Sequence, residues 1–123
     1  VVKWQGYGVD SVYDILILLN SVYAGIECKV VHAIESFPFA RVRDHQIKAL
    51  QDVHNNNGRG LILVNIRIPR HQEVKVITVN NFVHLQTTLP RKSIPADLFE
   101  SLPGVKKKGA LWDIKQILNL PYP

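Results

Sequence analysis

Hydrophobic residues cluster into a short series of segments along this chain, and their spacing assigns most of the elements. Residues 9–31, VDSVYDILILLNSVYAGIECKVV, are rich in β-branched and aliphatic side chains on either side of Asn20-Ser21, which predicts two strands joined as a hairpin. Residues 32–43 contain Pro38 and show no periodicity, as expected of a connecting loop. Asp44 then offers an N-cap, and Ile47, Leu50 and Val53 recur at helical spacing until Asn55-Asn56-Asn57-Gly58 ends the pattern. After Gly60, the run LILVNIRI is short, apolar and β-branched and stops at Pro69, the pattern of a buried central strand. A turn over Arg70–Glu73 leads into VKVITV, whose alternation predicts another strand. From Asn80 onward no clear strand is visible. Short helical stretches are predicted around Phe82–Gln86, around Pro95–Leu102 with Pro95 near the first turn, and over Leu111–Leu120. The order β, β, α, β, β and then helices predicts an α/β fold with a mixed central β-sheet flanked by helices.

Composition narrows the class. The 123 residues, 46% hydrophobic and 20% charged, suit a single domain over residues 1–123, large enough to bury roughly two-thirds of its unfolded surface without a structural metal. Cys28 is the only cysteine, so no internal disulfide forms and a reducing cytoplasm is the expected compartment. The longest apolar run, Ile15–Leu19, is far short of the roughly 20 residues of a membrane-spanning helix, and no charged-then-apolar leader opens the chain. Fifteen Lys and Arg against ten Asp and Glu leave a net charge of +5 and a pI near 9.5, which favours a polyanionic partner without naming one.

Three charges interrupt the apolar hairpin: Asp14, Glu27 and Lys29. Burying such groups is costly unless they are partnered. Glu27 and Lys29 are two apart, so on a strand they share a face with Cα atoms about 6–7 Å apart. If Asn20-Ser21 is a two-residue turn, position i faces position 41 − i, and Asp14 lies across from Glu27. Their Cβ atoms are then about 4.5–5.5 Å apart, close enough to repel unless a cation lies between them. Hard oxygen ligands of this kind suit Mg²⁺ or Mn²⁺ rather than zinc. A neighbouring lysine would orient or activate water and stabilise charge on a phosphate. Gln46, in the first turn of the predicted helix, lies at the edge of its apolar stripe and is placed to point toward the acids. The same charges also fit a cross-strand ion-pair network on a solvated hairpin face, with Gln46 an ordinary exposed residue.

These residues resemble the RecU Holliday-junction resolvases, within the PD-(D/E)xK nuclease superfamily. Asp14 and Glu27-Cys28-Lys29 match the family's Asp and Glu-x-Lys, with the same thirteen-residue separation. Ser36-Phe37-Pro38 resembles an S/T/A-F-P element, His45-Gln46 a His-Gln pair at a helix start, and Arg91-Lys92-Ser93-Ile94-Pro95 an R-K-S-I-P stretch, all in order over about residues 9–96. The resemblance implies a restriction-endonuclease-like core and a metal-dependent endonuclease that cuts four-way DNA junctions as a homodimer. Asp14 and Glu27 would hold Mg²⁺ or Mn²⁺ with the Cys28 carbonyl, Lys29 would sit at the attacking water and scissile phosphate, and Gln46 would help position water or metal. The chain departs from the pattern at three points. Cys28 replaces a small residue, Val12-Tyr13 stands where a Thr precedes the Asp, and no acid occurs before Asp10, so the N-terminal helix that carries a further acid is expected to be absent or shortened. The family's projecting stalk is not identifiable in the sequence.

Four basic clusters are candidates for DNA-backbone contact: Arg41 with Arg43, Arg67 with Arg70, Arg91 with Lys92, and Lys106, Lys107 and Lys108. The histidines at 32, 45, 54, 71 and 84 show no repeated ligand spacing. His45 is expected to pack at the helix start or reach a phosphate, and Trp4 and Trp112 to serve the core or a subunit interface. Two other functions fit the same features: a related nuclease of different DNA-structure preference, and a catalytically silent DNA-binding module.

Overall fold

A computed structural model describes residues 2–4, 14–19, 21–106 and 114–118. Its centre is a six-stranded mixed sheet. The strands are β1 (Val2–Trp4), β2 (Ile15–Leu19), β3 (Val22–Val31), β5 (Arg59–Ile68), β6 (His71–Thr78) and β8 (Gly104–Lys106), in spatial order β1-β2-β3-β5-β6-β8. Only β3 and β5 run parallel. Their connection carries α1 (Asp44–Asn55), as a parallel pair requires a crossover. The loop ahead of α1 contains β4 (Phe37–Pro38), followed by a 3-10 turn over Phe39–Arg41. β4 forms a separate two-stranded ribbon with β7 (Ser93–Ile94). The remaining helices are α2 (Val79–Thr88), α3 (Ala96–Ser101) and α4 (Ile114–Leu118). This is the expected α/β architecture, a mixed sheet flanked by helices and compatible with a restriction-endonuclease-like core.

Alternation along the central strands divides the core between the two sheet faces. Ile62, Val64, Ile66 and Ile77 pack with Ile47 and Leu50 of α1, Phe82 of α2 and Phe99 of α3. Leu61, Val74 and Val76, with Ile17 and Ile26, face Ile117 and Leu118 of α4. Because Glu27 pairs with Ile62 and Lys29 with Val64, both charges belong to the α1 face. Close approach fixes α1 there, since a Cβ at Gly60 would collide with the Leu50 carbonyl oxygen.

The hairpin follows the expected register, from Ile15↔Ile26 to Leu19↔Val22, and Ser21 takes a left-handed φ of 65°. Several boundaries differ from the pattern reading. Arg43, rather than Asp44, occupies the N-cap of α1, because the Gln46 side chain reaches back to the Arg43 N–H at 2.9 Å. The tight turn after β5 ends at Arg70, which has φ 66°, so β6 begins at His71 and Val79 already belongs to α2. The C-terminal third does contain strands, β7 and β8. At two and three residues they are too short to show alternation, and pairing defines them. The predicted helix over 111–120 is described only as α4, and no helix among the described residues is long and apolar enough to cross a membrane. Asp10, Lys107, Lys108 and Trp112 lie outside the described residues, and ahead of Asp14 the described residues are the strand β1, so the expected absence or shortening of an N-terminal helix falls on residues that are not described.

Candidate active site

The site is built where β2 begins, β3 continues and the first turn of α1 faces the sheet. The Asp14 N–H donates at 3.0 Å to the carbonyl of Ile26, the residue already paired with Ile15. Asp14 thus slips one residue out of the ladder and does not pair with Glu27 as the turn predicts, although its carboxylate still lies close enough to raise the Glu27 pKa. One Asp14 carboxylate oxygen, Oδ2, accepts the Cys28 N–H at 2.8 Å. A strand residue turns its N–H and C=O toward the same edge, so the Cys28 carbonyl is directed to this edge too, beside the residue that precedes β2.

Glu27 is buried, with 4% of its surface exposed. Its carboxylate oxygen Oε1 accepts from Gln46 Nε2 at 2.7 Å and lies 3.4 Å from Lys29 Nζ. Gln46 Oε1 accepts from both Lys29 Nζ at 3.3 Å and the Arg43 N–H at 2.9 Å. Turning the amide over would set its NH₂ against an ammonium and an N–H, so the partners fix its orientation. Glu27, Lys29 and Gln46 therefore form a closed triangle, with Asp14 against Glu27 from the hairpin side.

Burial raises the Glu27 pKa above its ordinary value of 4.5, and the adjacent Asp14 carboxylate raises it further, with Lys29 opposing. A single lysine does not neutralise two neighbouring carboxylates, and an added cation would relieve the remaining repulsion. Among the described residues no group of three or more His, Cys, Asp or Glu forms a metal cage. Two carboxylates and a directed carbonyl nevertheless fit Mg²⁺ or Mn²⁺, since Mg²⁺ is commonly held by one or two carboxylates with water and phosphate completing its shell.

The Cys28 side chain points to the other face of the sheet, into an apolar cavity of about 310 Å³ lined by Ile15, Ile17, Ile26 and Leu63. The residue is exposed overall, but burial of the thiol and the nearby Asp14 and Glu27 charges push its pKa up to about 11. Such a thiol is protonated and inert at neutral pH.

The basic candidates separate. Arg43, Arg91 and Lys92 line one groove at the start of α1, whereas Arg41 stacks on the Phe37 ring at 5.5 Å and lines a different cavity. Lys106 faces Glu73 across the β6–β8 ladder, three strands from β3. Arg67 and Arg70 are exposed at the β5–β6 end. His45 is also exposed, so it does not pack at the helix start: its neighbour Gln46 faces the sheet, and position 45 turns outward.

A second pair, Glu73 and Lys75, was not singled out in the sequence, although it repeats the Glu-x-Lys spacing and the 3.4 Å ion-pair distance. Two residues apart on an alternating strand was the available signal.

A comparison with curated proteins gives no match to this chain. The sequence model of the family described as recombination protein U matches residues 9–115, a span that contains Asp14, Glu27, Lys29, Gln46 and both strands of the β4–β7 ribbon. With most of its length matched, the chain belongs to the recombination protein U family.

Proposed function

We propose that this protein is a Mg²⁺-dependent structure-selective endodeoxyribonuclease that resolves four-way (Holliday) DNA junctions by phosphodiester hydrolysis. The carrying observation is the closed hydrogen-bonded triangle of Glu27, Lys29 and Gln46, with Asp14 beside it, in a chain of this family. Asp14 and Glu27, with the Cys28 carbonyl, would hold Mg²⁺, with Mn²⁺ as a substitute. A bound divalent cation supplies charge neutralisation at the phosphate and acidifies water. Lys29, with 17% of its side chain exposed, keeps its ammonium at the rim, where it orients water and stabilises charge on the phosphate. Gln46 holds Glu27 and Lys29 in register, so both act from fixed positions. Arg41, Arg43, Arg91, Lys92, Lys106, Lys107 and Lys108 are proposed backbone contacts, with Arg43 joined to the triangle through Gln46 and Arg91 and Lys92 in the same groove as Arg43. A homodimer that sets two sites across the branch point belongs to this reading, and family membership supports work on DNA in the cytoplasm or nucleoid.

The test is a cleavage assay with synthetic four-way and linear DNA in Mg²⁺, Mn²⁺ and EDTA. Paired symmetric cuts in the junction, dependent on metal and absent from linear duplex, are expected. Cutting of linear duplex or flaps instead favours a related nuclease of other preference. Junction binding without cutting in either metal favours a silent DNA-binding module.

A further inference from the structure

Two motifs contribute nothing to the triangle itself: Ser36-Phe37-Pro38 and Arg91-Lys92-Ser93-Ile94-Pro95. Although far apart in sequence, they meet in space. Phe37 pairs with Ile94 and Pro38 with Ser93, and the Phe39 N–H donates to the Lys92 carbonyl at 3.0 Å. This ribbon pins Arg91 and Lys92 beside the N-terminal end of α1. The result is an open groove of about 580 Å³ with Phe39 and Val42 in its floor and Arg43, Asp44, Arg91 and Lys92 among its walls.

The charge of that groove is unbalanced. Arg43, Arg91 and Lys92 are exposed, none has an ion-pair partner among the described residues, and Asp44 is the only acid in the lining. Asp44 already occupies the first turn of α1 and offsets the positive end of that helix, so the three basic side chains carry the attraction for an anion. One residue joins the groove to the triangle. Gln46 accepts from the Arg43 N–H at one end of its amide and donates to Glu27 at the other, which places the groove within one helical turn of the carboxylates.

We infer that this groove binds the phosphodiester flanking the scissile one on the cleaved strand, so the two paired motifs form a clamp that aligns DNA against Glu27 and Lys29. The inference rests on the nuclease reading above for the word "scissile". The binding chemistry rests on the groove alone: a monoanionic phosphate within a continuous backbone, passing through an open slot and met by guanidinium and ammonium groups. Arg41, turned onto Phe37, is not part of the clamp.

Two measurements test it. The first is junction binding in EDTA across a salt series, comparing the wild type with the Arg91→Gln/Lys92→Gln double variant and with Arg43→Gln, which keeps the backbone cap. Each is expected to reduce the slope of log affinity against log salt by about 1, the loss of one phosphate contact, rather than by one per charge removed. An unchanged slope in correctly folded variants overturns the clamp. The second uses junctions that carry a single neutral methylphosphonate at each phosphate in turn around the mapped cut. Neutralising one flanking position is expected to slow single-turnover cleavage by the wild type about tenfold and the double variant less than about twofold. Equal losses in both proteins at every position overturn the assignment. If the wild type cuts nothing in Mg²⁺ or Mn²⁺, the nuclease reading fails. The salt slopes still decide whether the groove binds a backbone phosphate.

Discussion

Glu27-Cys28-Lys29 on β3 and Glu73-Val74-Lys75 on β6 are the same motif twice, on the same face of one sheet, each with Nζ and a carboxylate oxygen 3.4 Å apart. Their surroundings separate them. Lys75 is 5% exposed, and its ammonium also donates to the Glu100 and Leu102 carbonyls at 2.6 and 3.1 Å, at the C-terminal end of α3. Glu73 lies against Gly104, where a Cβ would collide with its Oε2, and has His71 Nε2 3.4 Å away. That pair uses its charges to close a helix end onto a sheet edge. Lys29 keeps an exposed flank, and Glu27 faces a second carboxylate whose repulsion, together with burial, outweighs the opposing Lys29 charge. A Glu-x-Lys spacing therefore says little about chemistry, and the surplus of negative charge beside it says more.

The contrast is sharpest in Asp14→Asn and Glu27→Gln. Each is expected to lower single-turnover junction cleavage by at least about 10³-fold, about 4 kcal/mol of barrier, with the thermal midpoint held or, for Glu27→Gln, raised. The matching Glu73→Gln change should leave the cleavage rate of folded protein within about twofold. Retained cleavage in either site variant would break the comparison.

Lys75→Met should show the opposite behaviour. It leaves two helix-end carbonyls and a mostly buried carboxylate without their cation, for a loss of about 3 kcal/mol in denaturant unfolding, while cleavage per folded molecule stays near wild type. A stability loss of similar size in Lys29→Met would make the two pairs alike after all.

Gln46→Ala should fall between these extremes, with cleavage reduced about 10- to 100-fold and stability reduced by about 1 kcal/mol from the lost bond to the Arg43 N–H. Gln46→Glu is expected to retain the bond to Arg43 but not cleavage, since it adds a third carboxylate beside Glu27.

The smallest effects concern protons. Because the folded-state pKa of Glu27 is raised, the native state binds the proton more tightly than the unfolded chain. In metal-free protein this contribution to stability is present below 4.5 and is lost as pH rises through the higher folded value. Unfolding curves in EDTA should show that loss in the wild type and not in Glu27→Gln. At Cys28, alkylation at pH 7 should be slow for a thiol with a pKa of about 11, and Cys28→Ala should change cleavage less than about twofold, since only its backbone faces Asp14.

The parts of this arrangement visible in sequence are those that depend on short-range rules. Alternation and a two-residue turn define the hairpin register from Ile15 opposite Ile26 to Leu19 opposite Val22, but not the one-residue slip at Asp14. Helical spacing sets the stripe of Ile47, Leu50 and Val53 and leaves Gln46 at its edge. What escapes is set by distant partners. β7 is a strand only because Phe37 lies beside Ile94, and the separation of Arg41 from Arg43 follows from a ring that only the folded chain supplies. The N-cap of α1 falls one residue before the position the pattern favours, because Asp44 is the better capping side chain in isolation, whereas Gln46 reaches back to Arg43.

Gly60 contributes no atoms to the site and still determines its dimensions. With the Leu50 carbonyl resting where a side chain would begin, the spacing between α1 and the sheet is set to the reach of one glutamine. A methyl group there would lift the helix like a shim and open the 2.7 Å contact between Gln46 and Glu27, so the tolerance of the reaction centre is held by a residue with nothing to offer it but room.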